Sequence, residues 1–88
     1  MYDIIRKKRI YVLVLEGAMK ISYKKLWKLL IDREMMKKDL AEKAGISNAS
    51  IAKLGRNENV NTDILLKICV ALECEISDIL EIVSDEAE

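Results

Sequence analysis

The chain has 88 residues, 51% of them hydrophobic, and its 15 basic and 15 acidic residues leave no net charge. This length predicts one small domain with a core of limited size. No apolar run approaches the ~20 residues that span a bilayer, histidine is absent, and two cysteines are too few for a disulfide framework. We therefore expect no membrane span, no metal or other cofactor, and reduced cysteines in a cytoplasmic protein.

The charges are divided between the two halves of the chain. Residues 1–56 contain 14 Lys or Arg and 6 Asp or Glu, a net +8, whereas residues 57–88 contain one Lys and nine Asp or Glu, a net −8. Attraction to phosphate depends on the local field rather than on the total charge. The basic half could therefore meet nucleic acid, although an uneven solvated surface would show the same division.

Residues 1–18 differ from the rest of the chain. A basic run at residues 6–9 precedes Ile10–Leu15, whose β-branched and aromatic residues predict a strand. This order resembles a signal peptide, but the apolar stretch is short and lacks a cleavage site, so export is not expected. The alternatives are a translated leader, a cloning remnant, or a true arm whose open strand edge pairs with a second copy.

Residues 19–33 predict the first helix. Ser22 is its expected N-cap, and the helix runs from Tyr23 to about Arg33. Trp27 is expected to pack at the edge of the apolar stripe, with stacking on a base as the lesser alternative. The apolar stripe at helical spacing consists of Tyr23, Leu26, Leu30 and Ile31.

The stretch from Lys37 to Arg56 predicts two short helices with a tight turn between them. Gly45 follows the first of these helices, where positive φ is often required. Ile46 can fold back onto that helix, and Ser47 can cap the second one. The buried faces are expected to contain Leu40, Ala41 and Ala44 in the first helix and Ile51 and Leu54 in the second. Two helices joined in this way form a helix-turn-helix.

Two further helices are predicted after a polar loop at residues 57–61, where Val60 is the expected core anchor. Thr62 is the expected cap of the fourth helix, and Ser77 of a fifth that runs from Asp78 to about Val83. An acidic tail follows at Ser84–Glu88. The fourth helix has its apolar stripe at Leu65, Ile68, Cys69 and Leu72.

The ordered pattern Leu40-Ala41-xx-Ala44-Gly45-Ile46-Ser47-xx-Ser50-Ile51-xx-Leu54 resembles the phage-repressor (Xre/Cro-type, lambda-repressor-like) helix-turn-helix family. The resemblance extends over roughly 21–83, and includes the later LLKICVALECEISDIL stretch. It implies an all-α, five-helix DNA-binding domain at residues 19–83, preceded here by the extended β arm. It also implies a transcriptional regulator, most simply a repressor that occupies an operator in double-stranded DNA, with no evident small-molecule ligand.

Base recognition requires side chains on the first turn of the recognition helix and one turn later. Asn48 could bond adenine through two atoms, Ala49 could touch a thymine methyl, and Lys53 could donate to guanine. Otherwise Asn48 is a second cap residue and Lys53 a solvated charge. The resemblance implies base readers at Ser47, Asn48, Ala49 and Lys53. The expected phosphate-binding residues are Lys37, Ser50, Arg56 and Asn57, with Lys37 at a position that binds the backbone in relatives.

The resemblance has one departure. Several phage repressors pair an Arg on the first helix with a Glu near the end of the recognition helix, and the corresponding positions here are Leu30 and Gly55. An apolar contact is expected to replace the ion pair without a necessary loss of stability. Relatives bind paired half-sites, so we expect a homodimer formed by the arm strand or by the last helix around Ile79, Ile82 and Val83.

Two other function classes, an enzyme and a protein-interaction module, are alternatives to DNA binding. Without histidine, a Gly-rich phosphate loop or metal-ligand spacing, the chain is not expected to be an enzyme. An antitoxin or adaptor could keep the fold as a protein-interaction module without reading DNA. The absence of acidic residues from Asn48 to Arg56 favours DNA.

Overall fold

The computed structural model of the chain describes Gly17 and residues 19–84. The strand predicted at Ile10–Leu15 and residues 85–88 of the acidic tail lie outside this part. None of the described helices is long and apolar enough to cross a bilayer. In chain order, the elements are β1 (Met19–Ser22), α1 (Lys24–Asp32), α2 (Lys37–Ala44), α3 (Asn48–Gly55), α4 (Thr62–Leu72), a 3₁₀ helix (Ile76–Asp78) and β2 (Glu81–Ser84).

The predicted fifth helix is wrong, and with it the all-α class. The described part is mostly helical, with four α-helices and an antiparallel sheet of two strands. Where we expected a helix from Asp78 to Val83, β2 pairs with β1 in a register that places Met19 opposite Ser84. The two segments supply each other with backbone hydrogen-bond partners, and this long-range pairing overrides the local helical pattern.

The core lies between the four helices and the 3₁₀ segment. Ile31 was expected in the apolar stripe of α1, but its side chain is 74% exposed, and Leu29 is the half-buried residue that packs against the core. Ile31 directly follows buried Leu30, so it is turned by about 100° around the helix. The buried apolar side chains are Tyr23, Leu26, Leu30, Leu40, Ala41, Ile46, Ile51, Leu54, Ile68, Leu72 and Ile79.

Three predicted caps differ in detail. Ser22 is fully buried at the end of β1, and its Oγ accepts a hydrogen bond from the backbone N–H of Lys24 at 3.2 Å, whereas Tyr23 occupies the N-cap position. Thr62 is the first residue of α4, and Asn61 is the N-cap without a side-chain hydrogen bond. Both elements therefore begin within one residue of the prediction. Ser77, the third expected cap, lies inside the 3₁₀ helix.

Two cations of the α1 region join it to the C-terminal half. The ammonium of Lys25 donates to the carbonyl oxygen of Ser77 at 2.5 Å. The guanidinium of Arg33 donates to the carbonyl oxygen of Leu72, the last residue of α4. A cation at this end satisfies an orphan carbonyl and meets the negative end of the helix dipole.

Candidate nucleic-acid interface

The turn between α2 and α3 has the geometry predicted from its sequence. Gly45 has φ of 68°, and its N-terminal neighbour Ala44 ends α2. The backbone N–H of Ile46 donates to the carbonyl of Ala41 at 3.0 Å, and the Ile46 side chain is buried. The chain thus reverses within a few residues and places α3 against α2, as a helix-turn-helix requires.

Ser47 caps α3 as predicted. Its Oγ accepts a hydrogen bond from the backbone N–H of Ser50 at 3.1 Å, and the two hydroxyl oxygens are also 3.1 Å apart. Ser47 is exposed and Ser50 is half-buried. The cap fixes the first turn of α3. Because the Ser47 hydroxyl already accepts this backbone hydrogen bond, a base that bound Ser47 would share the hydroxyl with it.

The two faces of α3 differ sharply. Ile51 and Leu54 are buried against the core, whereas Asn48, Ala49 and Lys53 are all exposed. Residues four apart on a helix are neighbours, so Ala49 and Lys53 lie one above the other, with Asn48 beside Ala49 on the first turn. The structure therefore exposes all four predicted base readers, on α3 and at its Ser47 cap, and places only Ala49 and Lys53 directly one above the other.

Lys37, the first residue of α2, lies between α1 and the end of α3. Its Nζ is 4.5 Å from the centroid of the Trp27 ring, which is a cation–π contact. A Cβ atom added to Gly55 would lie 3.8 Å from the same Nζ, and no atom of Leu30 would lie within 4 Å of that Cβ atom. The side chain nearest to this position of Gly55 is therefore a lysine, and the apolar contact between Leu30 and Gly55 stays a prediction.

Arg56 follows α3 and is paired with Glu58. Its Nε donates to the Glu58 carboxylate at 2.5 Å, with a second contact from the guanidinium at 3.4 Å. This hydrogen bond raises the pKa of Arg56 and holds the pKa of Glu58 below its ordinary value. Both side chains are exposed, so a phosphate would compete with a nearby carboxylate for this guanidinium.

Asn57 has a structural role that the sequence analysis missed. Its Oδ1 accepts a hydrogen bond from the backbone N–H of Tyr23 at 3.1 Å, which joins the loop after α3 to the start of α1. Its φ of 55° lies in the left-handed region, which asparagine tolerates better than most residues. The residue type was a signal for this conformation, but nothing local indicated a partner 34 positions away.

Among the described residues, no three His, Cys, Asp or Glu side chains are grouped so that they could hold a metal ion. Beside Lys37, an open groove of about 520 Å³ runs between α1 and α2. It is lined by Trp27, Leu30, Ile31, Met35, Met36, Lys37 and Lys38.

Comparison with known proteins identifies the family. The model of the Cro/C1-type HTH DNA-binding domain matches residues 25–85, which include the four described α-helices except for the first residue of α1. The chain belongs to this family. It is 43% identical over 60 residues to YozG, an uncharacterized HTH-type transcriptional regulator of Bacillus subtilis (strain 168), covering 66% of this chain and 71% of YozG.

A solved structure agrees with this assignment. The transcriptional regulator VanUg is 51% identical to the chain and superposes with a TM-score of 0.73, covering 77% of this chain and 91% of VanUg. The protein is thus a helix-turn-helix DNA-binding protein of the transcription-regulator class, which is not a class of enzymes. In this Cro/C1-type domain, α2 and α3 form the helix-turn-helix.

Proposed function

We propose that the chain is a sequence-specific regulator that inserts the first turn of α3 into the major groove of an operator. The observation that carries this proposal is the shared exposure of Asn48, Ala49 and Lys53 on a helix that buries Ile51 and Leu54. An amide, a methyl group and an ammonium at this spacing match the edges of adenine, thymine and guanine. Ser47 would contribute through the same capped turn.

Phosphate contacts would flank this surface. Lys37 offers an ammonium beside the end of α3, and the N-terminus of α2 supplies further positive potential. Ser50 and Asn57 are candidates whose polar groups also make bonds within the domain. Arg56 would bind phosphate after exchanging its carboxylate partner. The chain would act in the cytoplasm, where its occupancy of an operator would repress transcription. This function needs no positioned acid, base or nucleophile.

We also propose a homodimer, because one helix reads too few base pairs for high specificity and paired half-sites solve this. Of the residues named for a last helix, Ile79 is buried and unavailable, whereas Ile82 on β2 is exposed. Leu66 on α4 is a second exposed apolar residue. Light scattering on the full chain should give a dimer at micromolar concentration. Ile82→Glu should dissociate the dimer if β2 forms the interface, and Leu66→Glu should dissociate it if α4 does. A monomeric wild-type chain would remove this part of the proposal.

The test of DNA reading compares base contacts with phosphate contacts. Sites would be selected from random duplex DNA, and affinities measured on selected and scrambled duplexes across a salt series. Asn48→Ala should cost about 1–3 kcal/mol on the selected site and relax preference at one base pair. Lys37→Ala should weaken both duplexes alike and lower the salt slope by about one unit.

Matched controls separate these effects from general damage. Asn59→Ala removes an exposed loop amide, and Lys67→Ala removes an exposed lysine on α4 that pairs with Asp63 at 3.2 Å. Neither control should change binding. If the wild-type chain binds DNA without sequence preference and without salt dependence, the interaction-module function would replace this proposal. An even loss for Asn48→Ala would make Asn48 a cap or a backbone contact.

A further inference from the structure

Cys69 and Cys74 come together at the C-terminal end of α4. The backbone N–H of Cys74 donates to the carbonyl of Cys69 at 3.0 Å, and that of Glu73 donates to Val70 at 3.3 Å. Glu73 adopts the left-handed conformation with φ of 51°. This pair of bonds around a left-handed residue is a Schellman motif, in which the residue three positions before the last helical residue meets the second residue beyond the helix. In this chain, those two positions are both cysteines.

The two cysteines are neighbours and are accessible. Both are free and half-buried, and the backbone hydrogen bond from Cys74 to Cys69 keeps the two residues together. Both also line an open groove of about 690 Å³ beside α4, so a small molecule can reach them. Burial raises the pKa of each thiol, while the Cys74 side chain acts in the opposite direction on the pKa of Cys69.

The charged surroundings are mixed. The carboxylates of Glu75 and Asp78 raise the pKa of Cys69. Asp78 also raises the pKa of Cys74, and the guanidinium of Arg33 acts against this. The thiols are therefore protonated near neutral pH, while the backbone bond of the Schellman motif holds the two cysteines next to each other.

We propose that Cys69 and Cys74 form a redox-modification site that low-molecular-weight disulfides convert to an intramolecular disulfide. The Cys69 thiolate attacks one sulfur of the small disulfide, which breaks its S–S bond and releases one small thiol. The Cys74 thiolate then attacks the Cys69 sulfur and releases the second small thiol. Two electrons pass from the protein thiols to the oxidant, and the two protein protons end on the two small thiols.

The new bond would close the cap of α4 covalently. Leu72, at the end of α4, and Ile79, after the 3₁₀ helix, are both fully buried on either side of this turn. Neither α2 nor α3 contributes a residue to the groove that contains the thiols. The oxidised domain should therefore be harder to unfold, while the candidate DNA-binding surface keeps its shape.

The test measures how strongly the fold favours the disulfide. The reduced full chain would be equilibrated with glutathione buffers of increasing oxidised fraction, in native buffer and in concentrated urea, and analysed by intact mass after alkylation. In native buffer, the mass of a single chain should fall by two hydrogens, without a cross-link to a second chain. The effective concentration of one protein thiol at the other should be at least about tenfold higher in native buffer than in urea. By linkage, a tenfold preference means that the disulfide stabilises the fold by about 1.4 kcal/mol.

Single and double variants complete the test. Cys69→Ser and Cys74→Ser should each gain only a mixed disulfide with glutathione. The oxidised wild type should melt about 5 °C or more above the reduced form, and the doubly substituted chain should show no change with the same treatment. A native effective concentration no higher than in urea, or oxidation mainly to mixed disulfides and cross-linked dimers, would overturn the proposal.

Discussion

The ammonium of Lys37 lies 4.5 Å from the centroid of the Trp27 ring, so the first residue of α2 is held by a side chain of α1. A cation–π contact uses the ring on one side of the ammonium and leaves N–H donors for another acceptor. This arrangement restricts the lysine before any ligand arrives. Less side-chain entropy then remains to be lost when it binds a phosphate.

We therefore expect Trp27 and Lys37 to act together in DNA binding. Trp27→Leu should weaken binding to every duplex, because it releases the Lys37 side chain, and Lys37→Ala should weaken it further. A double-mutant cycle on DNA affinity should give a coupling of about 0.5–1 kcal/mol, the size of an exposed cation–π contact. Additive losses would show that the ring does not position the lysine.

Glu58 should limit the contribution of Arg56. Glu58→Gln removes the carboxylate that holds the guanidinium at 2.5 Å, so DNA affinity should rise and the salt slope should steepen. Arg56→Ala should remove most of this gain in the double variant. Glu42→Gln, on the exposed part of α2, is the matched control for the loss of one negative charge. An equal gain from both variants would assign the effect to net charge alone.

The two glycines of the helix-turn-helix should respond in opposite directions to alanine. Gly45→Ala places a side chain at φ of 68°, where open space exists but the backbone is strained, so it should destabilise the domain by about 1–2 kcal/mol. Gly55→Ala adds a helix-forming residue whose Cβ meets only Lys37 at 3.8 Å, and it should stabilise by about 0.5–1 kcal/mol. Urea unfolding measures both. Similar changes in the two variants would contradict the assigned backbone geometry.

The same leucine-to-alanine change should have different effects in α3 and α4. Leu54 is fully buried, so Leu54→Ala should cost about 2–5 kcal/mol of unfolding free energy. Leu66 is 61% exposed, and its truncation should stay within about 0.5 kcal/mol. A small effect for Leu54 would mean that α3 is rotated from the orientation described above.

Alkaline pH should destabilise the fold. Burial raises the pKa of Tyr23 above its ordinary 10.0, and the pKa values of Cys69 and Cys74 are raised above 9.0, so all three favour the protonated form when folded. The stability that these three groups contribute is fully present below their pKa values in the unfolded chain, and it is lost as the pH rises through their pKa values in the folded chain. The free energy of unfolding should fall between about pH 8 and about pH 11, less steeply for the chain with both cysteines replaced by serine. A flat profile would contradict these shifts.

Local signals explain what could be predicted from the sequence. The helix-turn-helix depends on features within one or two turns of each other: the Gly45 turn, the Ser47 cap, and the apolar spacing of Ile51 and Leu54. Hydrophobic period and turn chemistry are local properties, so they could be read without the fold. The shared exposure of Asn48 and Lys53 follows from the same helical period.

The largest error arose where distant segments meet. Ile79, Leu80 and Val83 lie at spacings that suit a short helix, and only the pairing of Glu81–Ser84 with Met19–Ser22 selects a strand there. Likewise, the bond from Tyr23 to Asn57 and the contact of Lys37 with Trp27 join separate elements. A single sequence contains no signal for such partners, because pairing and side-chain reach depend on the assembled fold.

The pairing of Met19 with Ser84 has a consequence for how the domain folds and comes apart. Sixty-four residues lie between these two, so the sheet closes a loop that contains every helix of the described chain. The entropy of closing a loop grows only with the logarithm of its length, whereas each helix forms from near neighbours. The sheet therefore joins the locally formed helices into one cooperative unit. Removing either strand would release both ends of the domain at once.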